Sequence, residues 1–352
     1  MSAPPEDTAM NRIVSSMQGE LHEAAVVVER QAHTLAAPLA ALIKRLRARP
    51  PDVVVTCARG SSAHAATFAK HLVERHLGLP VAAAAPNIAS IYRRPLRLKD
   101  QLFLAISQSG RSDDLIETAA MARRAGALTV AIVNDLASPL AQESEIVLPL
   151  EAGPELSVAA TKSFVASLSA LLRFTAAWTK DTEMDSALMR LPDRLSEALQ
   201  LDWSEALAPL TDTASLVTIG RGPTLAIARE AALKLKETCA LHAEAFSAAE
   251  FRHGPVALVS SAYPIMVFRP ADEAAAGFTE LIADLRRKGA ILVVAEPGRR
   301  QAARLSVLSP DHPDADAICL IQSFYTFLVQ LAARRGADVD RPRHLQKVTR
   351  TK

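Results

Sequence analysis

Two short stretches of the chain combine hydroxyls, an amide and glycine in the manner of an anion site. Ser107-Gln108-Ser109-Gly110-Arg111-Ser112 follows the apolar run Leu102-Phe103-Leu104-Ala105-Ile106 and leads into a helical pattern. Arg59-Gly60-Ser61-Ser62 repeats the design after Val53-Val54-Val55-Thr56-Cys57. Serine and glutamine side chains donate, glycine admits a close backbone, and a helix N-terminus offers free N–H groups to a phosphate. Ser112 followed by Asp113 and Asp114 equally fits a plain helix N-cap, so the residues leave both readings open.

Proton chemistry has candidates further along. Glu230, Lys234 and Glu237 stand at i, i+4 and i+7 and share one helix face. Such a row is either an exposed set of ion pairs or a carboxylate, Glu237, that takes a proton and returns it nearby while Lys234 keeps it ionised. His253, in Phe251-Arg252-His253-Gly254-Pro255, lies in a turn after a helix. An imidazole there is a surface group or a proton donor and acceptor near neutral pH. Lys347 belongs to a polar, basic segment, 336–352, which by composition alone is a loose tail.

The elements that must position these groups alternate between short apolar runs and helical stretches. Strand runs at 53–57, 102–106 and 128–133 are separated by helical patterns to about residues 76 and 125, with connections too long for hairpins. This order predicts an α/β fold with a parallel sheet flanked by helices, its ligand loops at the carboxyl ends of the strands. The pattern restarts after a helix at 158–178, a linker at 180–184 and a helix near 186–207. Strands are expected at 215–219, 264–268 and 290–295, and helices at 227–241 and 274–287. Two similar units follow: an N-terminal segment 1–25, a first unit 26–180, a second 185–335 and the tail 336–352.

Composition sets the outer limits. The chain has 352 residues, 49% hydrophobic and 22% charged, with 40 basic against 38 acidic residues. That length suits two domains with ample apolar surface to bury. A net charge of +2 gives no general field for nucleic acid or an acidic membrane. No uninterrupted apolar run approaches the roughly 18–20 residues of a membrane span. The opening MSAPPEDTAMNR lacks the apolar core of a secretory signal. Cys57, Cys239 and Cys319 are too scattered for a disulfide framework or a zinc site, and no metal or other cofactor is expected. The expectation is a cytoplasmic globular protein with neither nucleic acid nor membrane as partner.

The form S-Q-S-G-x-S between strand and helix resembles the phosphosugar signature of the sugar isomerase (SIS) family. The segment 226–258, AIAREAALKLKETCALHAEAFSAAEFRHGPVAL, resembles the isomerase module of glutamine–fructose-6-phosphate amidotransferase and SIS-type glucosamine-6-phosphate deaminases. Val158-Ala159-Ala160-Thr161-Lys162 and the tail from Asp338 to Lys347 extend the likeness over roughly residues 20–350. The resemblance implies two tandem SIS units, each a doubly wound parallel sheet, with an ordered C-terminal tail. It also implies a phosphosugar held by Gly60, Ser61, Ser62, Ser107, Gln108, Ser109, Gly110, Ser112 and Val158. Glu237 would then move the proton between sugar carbons, aided by Lys234, and His253 would open the ring from the neighbouring subunit of a homodimer. Lys347 would contact the open-chain ketose from a tail folded over the sugar.

The chain departs from the amidotransferases at several positions. Arg111 stands where they have glutamate, Ser112 where they have threonine, Arg59 where they have a small residue, and Gln346 where they have alanine. The SQSGRS form is more like the deaminase branch. Phe268-Arg269-Pro270-Ala271 occupies the place of a second SxSGxS loop, so one phosphate site per subunit is expected. No cysteine precedes Cys57, so a glutaminase half with its N-terminal nucleophile is not expected. The implied reaction is glucosamine 6-phosphate plus water to fructose 6-phosphate plus ammonia, by aldose–ketose isomerisation. Isomerisation of another sugar phosphate, or sugar-phosphate sensing without catalysis, are the alternatives; a sensor needs the serine loops but not Glu237.

Overall fold

The structure is a computed structural model, and it describes residues 15–297 and 304–347. The first part of the expected N-terminal segment and the end of the tail lie outside those residues. Five strands form a first sheet: β1 (Val54–Ala58), β2 (Val81–Ala83), β3 (Leu102–Ser107), β4 (Leu128–Val133) and β5 (Ile146–Pro149), in the order β2-β1-β3-β4-β5. Five more form a second: β6 (Ser215–Gly220), β7 (His242–Ser247), β8 (Pro264–Phe268), β9 (Ile291–Ala295) and β10 (Arg304–Leu305), in the order β10-β9-β8-β6-β7. Among the described residues every strand pair is parallel. The expected pair of α/β units is therefore what forms. Both sheets carry helices on their faces, which is why β3 and β8 are buried along their whole length and read as unbroken apolar runs.

Four strands escape the sequence reading, and they are the four sheet edges: β2, β5, β7 and β10. An edge strand packs one flank only and can be short and polar. β2 has three residues with two exposed, and β7 reads His-Ala-Glu-Ala-Phe-Ser.

Helices at the chain ends join the two units. The Ser16–Thr34 helix runs across the expected limit at residue 25 and packs against the helices Lys162–Thr179, Thr182–Ala198 and Pro313–Arg334. Its buried face of Met17, Leu21, Ala24, Val27 and Val28 belongs to the core, so it cannot be a detached segment. The Thr182–Ala198 helix likewise starts before the expected boundary at 185, because Asp181 caps it through the N–H groups of Glu183 and Met184.

By length and composition the Pro313–Arg334 helix would cross a membrane, yet 78% of its apolar window is buried inside the protein. Two of its polar side chains donate to interior carbonyls. Gln322 donates to the Leu21 carbonyl at 2.7 Å, and the Ser323 hydroxyl donates to the Ala198 carbonyl at 2.9 Å. It is the central core helix.

The Gly60–Leu77 helix of the first unit packs on the Thr224–Cys239 helix of the second. That crossing carries the second unit's carboxylates towards the carboxyl ends of β1 and β3.

Candidate active site

The strand order places β1 beside β3 with crossovers leaving in opposite directions, so a crevice opens at their carboxyl ends. A cleft of about 350 Å³ occupies it. Arg59, Gly60, Ser61 and Ser62 line one side; Ser107, Gln108, Ser109 and Ser112 line another. Val158, Lys234, Glu237 and the tail residues Leu345, Gln346 and Lys347 complete the wall. Nearly all the expected site residues therefore meet around one cavity, although they come from five separate parts of the chain.

The Ser107 loop is folded by its own hydroxyls. Ser107 Oγ accepts the Gly110 N–H at 3.1 Å and Ser109 Oγ accepts the Arg111 N–H at 3.3 Å. A hydroxyl that accepts still has its proton to donate, so both remain available to an anion. Gly110 sits at φ +62°, and a Cβ there would stand 2.2 Å from Ser138 Oγ. Only glycine fits. Ser112 occupies the N-cap position of the Asp113–Arg124 helix but makes no capping hydrogen bond. The residue lines the cleft with its hydroxyl uncommitted to the cap.

The two arginines diverge. Arg111 turns away and donates to Asp135 at 2.7 Å. Arg59 lines the cleft, and its Nε and Nη2 both donate to one oxygen of the nearly fully buried Asp114, at 3.0 and 2.7 Å. This pair ties the two serine loops together and fixes a guanidinium at the cavity wall.

The acid–base side is a buried charge cluster. Lys234, 1% exposed, donates to Glu237 at 2.5 Å and lies 3.5 Å from Glu230. Burial alone would push its ammonium down, but Glu230 and Glu237 outweigh burial and hold it above the ordinary lysine value. Glu230 is wholly buried. It accepts from His64 Nδ1 at 2.7 Å and from the Tyr325 hydroxyl at 3.3 Å. Burial would raise its carboxyl; Lys234, His64 and Ser61 hold it below the usual value instead. Burial and the facing Glu230 push the Tyr325 hydroxyl well above the usual tyrosine range, so it stays a neutral donor.

The tail is pinned at two points. Asp340 accepts the N–H groups of Ser16 and Met17 at 2.7 and 2.9 Å and the Ser157 hydroxyl at 3.2 Å. Lys347 donates to Glu155 at 3.1 Å and to the Ser157 carbonyl at 2.6 Å. Glu155 is buried, which would raise its carboxyl; Lys347, Ser163 and Thr161 hold it below the usual range. Lys347 thus reaches the cleft wall with its amine parked on two acceptors.

His253 is not brought in. It is exposed at the end of the Ala248–Arg252 helix and does not line the cleft of this single chain. Conversely, His64, Glu155 and Tyr325 belong to the site's charge network and were not singled out in the sequence. Their partners lie 166, 192 and 95 residues away, beyond any local pattern.

Known proteins match this architecture. The SIS domain model matches residues 49–177 and 210–335, and the chain belongs to that family. Glutamine–fructose-6-phosphate aminotransferase of Chlorobaculum tepidum is 31% identical over 309 residues, 84% of this chain and 50% of that protein. Its Pseudomonas aeruginosa counterpart is 34% identical over 357 residues, 94% of this chain and 58% of that protein. The chain spans about half the length of the curated relatives it matches. Among solved structures, a candidate phosphosugar isomerase from Silicibacter pomeroyi is 43% identical with a TM-score of 0.87, covering 93% of this chain and all of the other. Glucosamine-6-phosphate deaminase of Thermotoga maritima, 20% identical with a TM-score of 0.74 over 96% of this chain and all of the other, shares the fold.

Proposed function

We propose that the protein is an amino sugar phosphate isomerase that releases ammonia, converting glucosamine 6-phosphate and water to fructose 6-phosphate and ammonia. The observation that carries this reading is the convergence of the serine cradle, the Lys234–Glu237 pair and Lys347 on one cavity of about 350 Å³. The cradle and Arg59 hold the phosphate and set the distance to the reacting carbons. Glu237 takes the C2 proton of the open-chain sugar and returns it to C1, with Lys234 balancing its charge. Isomerisation turns the 2-amino aldose into the imine of a 2-ketose, and water adds to that imine to expel ammonia. Lys347 sits beside C2 of the intermediate. His253, exposed here, serves ring opening from the second copy of a homodimer.

A plain aldose–ketose isomerase is the second reading, favoured by the 43% identity to the Silicibacter pomeroyi candidate phosphosugar isomerase. A panel of amino sugar and simple sugar phosphates, assayed for ammonia and ketose phosphate, separates the two. The deaminase reading requires equal amounts of both products from glucosamine 6-phosphate. Ketose phosphate formed only from the non-amino aldose phosphates overturns it in favour of the isomerase. Binding without any product makes the protein a sensor.

A further inference from the structure

We propose that His64 is a positioning residue for proton transfer, acting through Glu230 to keep Lys234 against Glu237. The inference rests on the reading of Glu237 as the proton-transfer group. It adds a residue from the opposite unit, one turn beyond the serine cradle.

The geometry is a relay of buried contacts. His64 lies on the Gly60–Leu77 helix, whose first residues Gly60, Ser61 and Ser62 line the cleft. Its Nδ1 meets Glu230 Oε2 at 2.7 Å. On the other oxygen, Glu230 takes Tyr325 at 3.3 Å and faces Lys234 at 3.5 Å. Among the described residues, Lys234 is the single ammonium between these two carboxylates, 2.5 Å from Glu237. The charged groups around this relay are Glu230, Lys234 and Glu237 on the Thr224–Cys239 helix, Glu155 in the loop after β5, and Lys347 on the tail, with the titratable but neutral Tyr325 hydroxyl facing them from the Pro313–Arg334 helix. That makes three carboxylates against two ammonium groups, so the donors on Glu230 decide where Lys234 spends its charge.

Removing the His64 donor leaves a wholly buried carboxylate short of a partner, which is costly. The nearest replacement cation is Lys234, 3.5 Å from Glu230, and a shift towards Glu230 lengthens its 2.5 Å contact with Glu237. Glu237 would then hold its charge less well, so the acid limb of the rate profile should move to higher pH. The phosphate end of the cleft would be little affected.

The test compares His64→Asn, His64→Gln and His64→Leu, assayed with glucosamine 6-phosphate across pH. An asparagine amide falls where Nδ1 lies and can donate to Glu230, whereas glutamine places its amide where Nε2 lies. His64→Asn should keep kcat within about threefold, while His64→Gln and His64→Leu lose about tenfold or more, with KM changed less than kcat and the acid limb raised. Wild-type kcat and an unmoved profile in His64→Leu overturn the proposal. So does a rise in KM at constant kcat, which would make His64 part of the phosphate cradle. If His64→Leu does not fold, the Asn–Gln contrast still decides. A measurement independent of turnover separates this from failure of the proposed reaction. The melting temperatures of His64→Gln, Glu237→Gln and the double variant should be non-additive, because both substitutions act on Lys234. Additive shifts overturn the relay even if no sugar phosphate is turned over.

Discussion

Glu237 differs from its neighbours in being within reach of both a buried ammonium and the open cavity, with 21% of its side chain exposed. Glu230, on the same face, is sealed. Exchange of Glu237 for Gln keeps the shape and a hydrogen bond to Lys234 but removes the proton acceptor. Turnover should fall at least about 100-fold while calorimetric binding of glucosamine 6-phosphate stays within severalfold; unchanged turnover rejects the role. Arg59 makes a different prediction. Arg59→Ala should raise KM for the phosphorylated sugar with little change in kcat, because the guanidinium is held by Asp114 beside the serine loops and bonds neither Lys234 nor Glu237. An unaltered KM would mean that Asp114 holds the arginine for folding alone. The buried carboxylates also set the acid stability. Glu155, Glu230 and Asp314 are all held below their unfolded values, Asp314 by His71 and His76 against the effect of its burial. Their stabilisation is complete above an unfolded carboxylate value of about 4 and is lost as pH falls through the lower folded values. Melting temperature should therefore drop steeply below about pH 4, and less steeply in Glu155→Gln.

At the scale of elements, the tail is the most testable part. Cutting after Arg341 keeps Asp340 on the first helix's N–H groups and removes Lys347 from the cleft. The protein should still melt cooperatively but lose turnover; full activity in the truncated form would take the tail out of the mechanism. The serine loop has its own weak point. Gly110→Ala should cost about 1–3 kcal/mol in chemical denaturation, from the positive φ and the collision with Ser138, and should weaken sugar-phosphate binding. How far such elements could be read in advance depended on where they lie. β1, β3, β4, β6, β8 and β9 announce themselves because both faces are buried and apolar residues, many of them β-branched, fill them. The edge strands do not, because water or a loop covers one flank. The Ser16–Thr34 helix also went unread, since its buried positions include Glu20 and Gln31 among the apolar ones. Within the site, the serine loops and the Lys234–Glu237 spacing are local patterns and were legible. The partners that hold them, His64, Glu155 and Tyr325, are defined only by the folded crossing of the two units.

The whole molecule is joined by more than apolar packing. One core cluster runs through both units, and Asp314 of the second receives His71 and His76 of the first, at 3.1 and 2.8 Å. A single chain nevertheless leaves His253 outside the cleft. If a second copy supplies it, Glu237→Gln and His253→Ala should each be inactive alone and regain about a quarter of wild-type activity when unfolded and refolded together, because each mixed dimer has one intact site. No recovery, in a protein that sediments as a monomer, would remove the shared site. The contact between Asp340 and the backbone of Ser16 and Met17 has a practical bearing as well. It brings the amino-terminal end of the first helix to within hydrogen-bond distance of the segment that carries Lys347. An affinity tag fused ahead of Ser16 therefore leaves the fold next to the cover of the cavity, and rate constants from tagged and cleaved preparations should differ, whereas an insertion at the exposed 261–262 turn, far along the chain from the tail, should leave them alike.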